Sequence, residues 1–252
     1  MRFYEDEGKR LLASCGIPVA RGATAKTPEE AERIVIEIGG PVVLKSQVLS
    51  GGRMKAGGVK FAATPEEARK AAAEILERPI NGQMPRGVLV EVRAPVVREY
   101  YVGVIYDALT KLPAVIASDM GGIDIEEVAE THPDHVKKIH LPTLVPFFEF
   151  RLKRLVRSLG ISGAELASLS RIANGLVRAF MQYGLTLAEI NPLALLENGS
   201  FVALDCHIDM EEDARDGQAA ILERLGIGKD ESRQGRPPTE FEIRGARIDA
   251  QD

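Results

Sequence analysis

Positively charged side chains lie in a glycine-rich segment that directly follows an apolar run. Lys45 ends the run Val42–Leu44, and the loop Ser50–Lys60, which we call the flap, carries Arg53, two lysines and four glycines. Glycine lets a backbone approach a ligand closely and turn its N–H groups inward, which suits an anion. The flap lacks the Gly-Lys-Ser/Thr ending of a Walker A loop and the Rossmann glycine spacing. The segment predicts a site for nucleotide phosphates; the alternative is a solvated loop between two strands.

A late hairpin carries a second set of polar side chains. In a strand, alternate residues share a face, so Glu189 and Asn191 point the same way. If Glu197–Gly199 is a three-residue turn with a left-handed glycine, Asn191 lies opposite Asp205. A two-residue Asn-Gly turn would instead put these two on opposite faces. An amide oxygen beside a carboxylate suits Mg²⁺, so the first register predicts a magnesium site; an ordinary polar hairpin face is the alternative.

Two further carboxylates, Glu91 and Glu99, lie on successive predicted strands. An acid at the edge of a nucleotide cleft can accept hydrogen bonds from ribose hydroxyls or from the amino group of adenine. The alternative is a surface carboxylate paired with Arg93 or Arg98.

Composition excludes several other classes of protein. The 252-residue chain has a formal net charge of −5, which argues against binding the polyanionic backbone of nucleic acid. The sequence has no Gly-x-Ser-x-Gly elbow and no His-Glu-x-x-His zinc motif. Two cysteines are too few for a disulfide framework, and no apolar run reaches the roughly 18 residues of a membrane helix. The N-terminal residues do not resemble a signal peptide, so we expect a cytoplasmic protein with no membrane contact.

The predicted elements alternate between helices and strands with short connections, which is typical of a mixed α/β fold with antiparallel sheets. Tyr4–Ser14 predicts an amphipathic helix. Thr27–Glu30 and Thr64–Glu67 are capping boxes with proline at the first helical position, and each predicts the start of a further helix.

Seven blocks of the sequence occur in the order found in a known family. They are Tyr4–Val19, Val43–Val48, Gly51–Arg53 with Lys55–Lys60, Leu89–Glu91 with Arg98–Gly103, Gly121–Ala129, Glu189–Leu193 and Ala203–Asp205. Through these blocks essentially the whole chain resembles the ATP-grasp portion of the succinyl-CoA synthetase β subunit, in the ADP-forming acyl-CoA synthetase family. The resemblance implies an ATP-grasp fold of class α+β (α/β), in which two lobes with mostly antiparallel sheets enclose a nucleotide.

The resemblance also implies roles for individual residues. The nucleotide would be held by Lys45, Gly52, Arg53 and Met54 at its phosphates and by Glu91, Ala94 and Glu99 toward base and ribose, with Asn191 and Asp205 as Mg²⁺ ligands. In the family, the γ-phosphoryl group of ATP passes to a histidine of a partner α subunit and then to a carboxylate, and the CoA thiol displaces phosphate. Nothing in this sequence resembles that histidine, so no catalytic nucleophile is expected in this chain.

The sequence departs from the family pattern at several of these positions. Met54 stands where the family usually has glycine, and Ala94 replaces a small polar residue. Cys206-His207 replaces a small residue and a lysine after the metal-binding aspartate. Ala20, at the position where the family distinguishes nucleotides, offers guanine no hydrogen bond and favours ATP over GTP.

The resemblance divides the chain into a smaller lobe at residues 21–103, which carries the flap, and a larger lobe at residues 1–20 and 104–228, which carries the hairpin. Residues 229–252 are expected to be a linker toward a flavodoxin-like CoA-ligase domain that is missing from this sequence. Because that domain helps to bind the acid in the family, the identity of the acid is not expected to be encoded here.

Together these inferences predict the nucleotide-binding part of a succinate–CoA ligase β subunit, which uses ATP, Mg²⁺ and CoA together with an α subunit. Three alternatives remain: a malate- or citrate-specific relative, a stand-alone ATP-grasp carboxylate–amine ligase, and a non-catalytic nucleotide-binding module.

Overall fold

The computed structural model describes residues 1–143, 149–228, 231 and 233. Within these ranges the helices are α1 (Glu5–Ser14), α2 (Pro28–Ile38), α3 (Pro65–Leu76), α4 (Ile125–Thr131), α5 (Phe150–Arg157), α6 (Gly163–Gln182) and α7 (Ala219–Leu225). The strands are β1 (Gly22–Ala25), β2 (Val42–Ser46), β3 (Val59–Ala62), β4 (Val88–Val92), β5 (Val96–Tyr106), β6 (Pro113–Ser118), β7 (Val136–His140), β8 (Leu185–Leu196), β9 (Phe201–Ala203) and β10 (Cys206–Met210). Apart from Glu231 and Arg233, the predicted linker at 229–252 lies outside the described residues. None of the helices listed above has the length and apolar character to cross a membrane.

Four strands form an antiparallel sheet in the order β1-β4-β2-β3, with α2 and α3 packed on it. Both helices begin at the predicted caps. Thr27 Oγ1 accepts a hydrogen bond from Glu30 N at 3.2 Å, and Thr64 Oγ1 accepts one from Glu67 N at 3.2 Å. Small and branched apolar side chains fill the space between sheet and helices. Because β2 and β3 are neighbours in this sheet, the flap between them extends from its edge.

The other six strands form a second antiparallel sheet in the order β10-β8-β5-β6-β7, with β9 paired to β8. Helices α1, α5 and α6 pack on it around a core that includes Tyr100, Leu176 and Phe180. Residues 96–103, assigned to the smaller lobe from sequence, are part of β5 and belong to this larger sheet. The reason is that β5 pairs with β6 and β8 along its length and buries Tyr100 and Val102 in the larger core. The change from one sheet to the other therefore occurs at residues 93–95.

Candidate functional site

Six ionisable side chains meet where helix α1, strands β2 and β4, the flap and the hairpin converge. We call them the charged cluster, and they are Glu5, Lys9, Lys45, Arg53, Glu91 and Asp205. Three are cations and three are anions, and all except Asp205 are buried. Buried charges are strongly unfavourable unless they are paired, so the balance of signs is what allows this cluster to exist.

Glu5 of α1 is the carboxylate that all three cations share. Its Oε1 lies 2.9 Å from Lys9 Nζ and 2.8 Å from Lys45 Nζ, and its Oε2 lies 2.7 Å from Arg53 Nη1. Burial alone would raise the pKa of Glu5, but the charges of these cations outweigh it and hold the pKa well below its usual range. Glu5 is therefore ionised at neutral pH.

Lys45, a predicted phosphate ligand, lies at the end of β2 between the two sheets. Its Nζ is 2.8 Å from Glu5 and 3.0 Å from Glu91, and it also donates to the carbonyl oxygen of Leu204 in the hairpin. Burial would lower the pKa of Lys45, but the neighbouring carboxylates outweigh it and raise the pKa. The lysine thus carries a permanent positive charge into the space between the lobes.

Arg53 brings the flap into the same cluster. Its Nη1 donates to Ser46 O at 3.0 Å, and its Nη2 lies 2.7 and 2.8 Å from the two carboxylate oxygens of Asp205. The structure therefore brings together three residues predicted from sequence to bind phosphates or metal, namely Lys45, Arg53 and Asp205.

Glu91 occupies a different position from the one expected for a base or ribose ligand. Its carboxylate oxygens lie 2.5 and 2.6 Å from Lys9 Nζ, and it also contacts Lys45. Neighbouring residues of a strand face opposite sides. Glu91 therefore points into the charged cluster, whereas Val92 points into an adjacent cavity.

That cavity has a volume of about 530 Å³ and lies beside the connection between β4 and β5. Ala20 and Ala94 line it together with Pro95 and Phe201, and Arg171 of α6 also contributes to its wall. Cavities of this size with mainly apolar walls are typical of small-molecule sites. The walls suit a planar base, and two positions connected to the nucleotide by the sequence resemblance, Ala20 and Ala94, meet there.

The hairpin has the register predicted from the three-residue turn. Gly199 has φ of +78°, and Leu196 N donates to Ser200 O at 2.8 Å. Asn191 N consequently donates to Asp205 O at 3.1 Å. The alternative prediction, a two-residue Asn-Gly turn, is therefore wrong.

The side chains of the two predicted metal ligands are engaged by other parts of the chain. Asn191 Oδ1 accepts from Gly122 N at 2.8 Å, and its Nδ2 donates to Ile123 O at 2.9 Å, whereas Asp205 is paired with Arg53. An amide oxygen keeps a second lone pair and a carboxylate offers several, so this donor set still fits Mg²⁺. In the part of the chain that the structure describes, no group of three or more His, Cys, Asp or Glu side chains could hold a metal ion. A metal at this hairpin would thus need further oxygens from a phosphate and from water.

Glu99 lies on the Asn191 side of the site and does not line the cavity. A Cβ on Gly122 would collide with Glu99 Oε2, so the Glu99 carboxylate packs directly against this glycine. Burial raises the pKa of Glu99. The structure therefore separates Glu99 from Ala94, although both were predicted to contact the nucleotide.

The other two predicted flap ligands, Gly52 and Met54, are exposed. Met54 is 67 % exposed, so its replacement of a family glycine disturbs no packing in this structure. Gly52 and Gly57 have φ of +67° and +75°, values that other residues adopt only with strain. The last two flap residues, Val59 and Lys60, are already part of β3.

Cys206 and His207 follow the predicted metal ligand Asp205. Burial raises the pKa of the Cys206 thiol well above its usual value, and Sγ lies 3.7 Å from Glu5 O, so the thiol is a packing group and not a nucleophile. The His207 ring faces Gly51 of the flap, and burial lowers the pKa of His207.

Glu5 and Lys9 were not identified from the sequence as site residues. Their only signal is a spacing of four within a predicted helix, which places them on one face. That spacing is usual for exposed helix pairs, and it gives no indication of what the face contacts.

Comparisons with known proteins identify the family of the chain. The model of the ATP-grasp domain family matches residues 2–195. The succinate–CoA ligase [ADP-forming] subunit β of Chloroflexus aurantiacus is 43 % identical over 215 residues, which cover 85 % of this chain and 57 % of that protein. The succinate–CoA ligase [GDP-forming] subunit β of Thermus thermophilus is 40 % identical over 214 residues, which cover 85 % of this chain and 56 % of that protein.

A solved structure shows the same fold. The dinucleotide-forming acetyl-coenzyme A synthetase 1 of Ca. Korarchaeum cryptofilum, in complex with coenzyme A and Ca-AMPCP, superposes with a TM-score of 0.67 at 25 % identity, covering 83 % of this chain and 93 % of that one. The chain spans less than three fifths of the curated relatives named above. The resemblance seen in the sequence is thereby confirmed: this chain belongs to the ATP-grasp domain family.

Proposed function

We propose that this chain is the nucleotide-binding part of the β subunit of an ADP-forming acid–CoA ligase, with succinate as the acid. The complete enzyme converts ATP, a carboxylate and CoA into acyl-CoA, ADP and phosphate. A histidine of a partner α subunit carries the phosphoryl group between ATP and the carboxylate. The names of the curated relatives support the reaction class.

The observation that carries the proposal is the meeting of Lys45, Arg53 and Asp205 beside an apolar cavity. The cavity receives the base near Ala94, and Lys45 and Arg53 neutralise the phosphates. Catalysis of phosphoryl transfer consists mainly of positioning and charge neutralisation, and these residues supply both.

Asn191 and Asp205 hold the Mg²⁺ that accompanies the nucleotide. When bound, the ion neutralises charge on the phosphate oxygens. Lys9, Glu5 and Glu91 contact no phosphate and instead hold Lys45 and Arg53 in place. In this proposal the smaller lobe comprises the sheet β1–β4 and the larger lobe the sheet β5–β10, and the enzyme works in the cytoplasm.

Calorimetric titration with Mg·ATP tests the nucleotide site. We expect Lys45→Ala and Asp205→Asn to weaken binding about tenfold to a hundredfold, because each removes a charge-assisted contact. Lys138→Ala is the matched control, since Lys138 pairs with Asp107 at the far end of the larger sheet. Unchanged affinity in both site variants would contradict the proposal.

The acid is tested by mixing the chain, within its complete subunit, with its α partner, CoA, ATP and single acids. Succinyl-CoA is the expected product. Formation of malyl-CoA or citryl-CoA alone would remove the succinate assignment, and ATP turnover with an amine in the absence of an α subunit would replace the proposal with a carboxylate–amine ligase.

A further inference from the structure

The ion pair between Arg53 and Asp205 joins the two lobes of the molecule. Arg53 belongs to the flap of the smaller sheet, and Asp205 to the hairpin of the larger one. Both carboxylate oxygens lie within 2.8 Å of the same guanidinium nitrogen, Nη2. A contact of this kind holds the flap down over the site.

The two edges of the Arg53 guanidinium have different surroundings. Nη1 is fixed by Ser46 O at 3.0 Å and by Glu5 at 2.7 Å. Nη2 is held by Asp205. A guanidinium has donors on both edges, so the Nη2 edge can change its partner while Nη1 stays anchored.

The three carboxylates of the charged cluster also differ in exposure. The side chain of Asp205 is 37 % exposed, whereas those of Glu5 and Glu91 are each 2 % exposed. A ligand entering from solvent can thus reach Asp205, while the other two carboxylates remain buried counter-ions. Of the cluster's ion pairs, Arg53–Asp205 is the one open to exchange.

We propose that Arg53–Asp205 is a latch that keeps the flap closed in the absence of ligand and that opens by exchange of partners. Mg²⁺ takes Asp205, and a phosphate oxygen of the nucleotide takes the Nη2 edge of Arg53. This inference rests on the proposed function, because it assigns the two ends of the latch to the two components of Mg·nucleotide.

Exchange couples the binding of metal and nucleotide. Mg²⁺ alone must break the latch and leaves Arg53 beside a new positive charge without a partner on Nη2. Nucleotide alone leaves Asp205 facing phosphate, and two negative groups repel. When both bind, each end of the latch regains an opposite charge. Each component should therefore strengthen the binding of the other.

Limited trypsin cleavage after Lys55 reports on the latch directly, because Lys55 is exposed in the flap. In the absence of ligand, we expect Asp205→Asn to be cleaved there several-fold faster than the wild type. Mg²⁺ alone should speed cleavage of the wild type, because it removes Asp205 from Arg53. Adding a non-hydrolysable ATP analogue together with Mg²⁺ should slow cleavage again, because a phosphate oxygen then holds Arg53. Glu29→Gln is the matched control, since it breaks the Arg69–Glu29 ion pair between α2 and α3, outside the cluster.

A second measurement varies the salt concentration and follows cleavage of the wild type. Salt screens a partly exposed ion pair, so added NaCl should raise the cleavage rate of the wild type toward that of Asp205→Asn. Equal rates for the two proteins without ligand, at low and high salt, would overturn the latch even if Mg·ATP binds normally. If Asp205→Asn is cleaved faster but the wild type binds no Mg·ATP, the proposed function and the exchange of partners built on it are overturned instead.

Discussion

Glu5 lies within 2.9 Å of a positively charged nitrogen from each of Lys9, Lys45 and Arg53. Three cations gathered in a region of low dielectric repel one another strongly unless anions are interleaved with them. In the proposed function, Lys45 and Arg53 must carry their positive charges before the nucleotide arrives. Glu5 makes that possible, because it compensates their charge from the protein side while it remains buried.

Glu5→Gln tests this role, since it keeps the shape of the side chain and removes its charge. We expect a loss of about 3–5 kcal/mol in the free energy of unfolding, the usual effect of removing one partner from a buried ion pair. Urea unfolding measures it. Asp6→Asn on the same helix is the control: burial raises the pKa of Asp6, so losing that charge should cost little.

The difference in the free energy of unfolding between wild type and Glu5→Gln should also depend on pH. The pKa of Glu5 is depressed in the folded state, so its contribution is fully present above its usual value of 4.5 and is lost as pH falls below it. The stabilities of wild type and Glu5→Gln should differ most near neutral pH and converge in acid. A gap that stays constant from neutral pH into acid would show that the loss comes from packing and not from charge.

At the scale of elements, the hairpin was predictable and the partners of its side chains were not. The turn Glu197–Gly199 sets the register locally, which is why the pairing of Asn191 with Asp205 could be predicted from sequence. The partner of the Asn191 side chain, Gly122, comes from a loop 69 residues away. Local turn chemistry contains no information about such a contact.

For Glu91 in β4, too, the sequence predicts the local placement of the residue but not its partner. Alternation fixes which face of β4 it occupies, but Lys9 reaches that face from a helix 82 residues earlier in the chain. Capping boxes predicted the starts of α2 and α3 correctly, since a cap depends on four consecutive residues. Residues 96–103 were placed in the smaller lobe from sequence, but they join the larger sheet because β5 pairs with β6 and β8.

Gly58, the flap residue just before β3, packs too closely against its neighbours to carry a side chain. A Cβ on Gly58 would collide with the Ser46 side chain and approach Ile80 Cγ2 to 3.0 Å and Arg53 O to 3.2 Å. Gly58→Ala should therefore lower the free energy of unfolding by about 1–3 kcal/mol, as overpacking does elsewhere. Thermal or urea unfolding measures it.

Gly40→Ala provides the comparison, because a Cβ there meets nothing within 4 Å and the backbone is not left-handed. That substitution should be neutral or stabilise by about 0.4–1 kcal/mol through the unfolded chain. If both variants behaved alike, the close approach of Gly58 to Ser46 would have no energetic meaning.

At the scale of the whole molecule, α1 connects parts that the sheets alone leave separate. Its Glu5 and Lys9 belong to the charged cluster. Its buried Glu7 lies 2.8 Å from Arg86, which precedes β4 in the smaller lobe, and Glu7 also contacts Arg233. Both guanidinium groups also lie over the Tyr4 ring, with centroid distances of 4.8 Å for Arg86 and 5.1 Å for Arg233. Residues from both ends of the chain and from the smaller lobe thus meet at one helix.

Arg233→Met tests how much this junction contributes. The substitution leaves the fully buried Glu7 with Arg86 as its cation, so we expect a loss near the lower end of the range for broken buried pairs, about 3 kcal/mol. Arg224→Met on the exposed side of α7 is the control and should stay within about 0.5 kcal/mol of the wild type. A double-mutant cycle with Glu7→Gln should give a coupling energy of about 0.5–3 kcal/mol, since the two residues are in direct contact. If Arg233→Met matched Arg224→Met and the cycle gave no coupling, the contact between Arg233 and Glu7 would contribute nothing to stability.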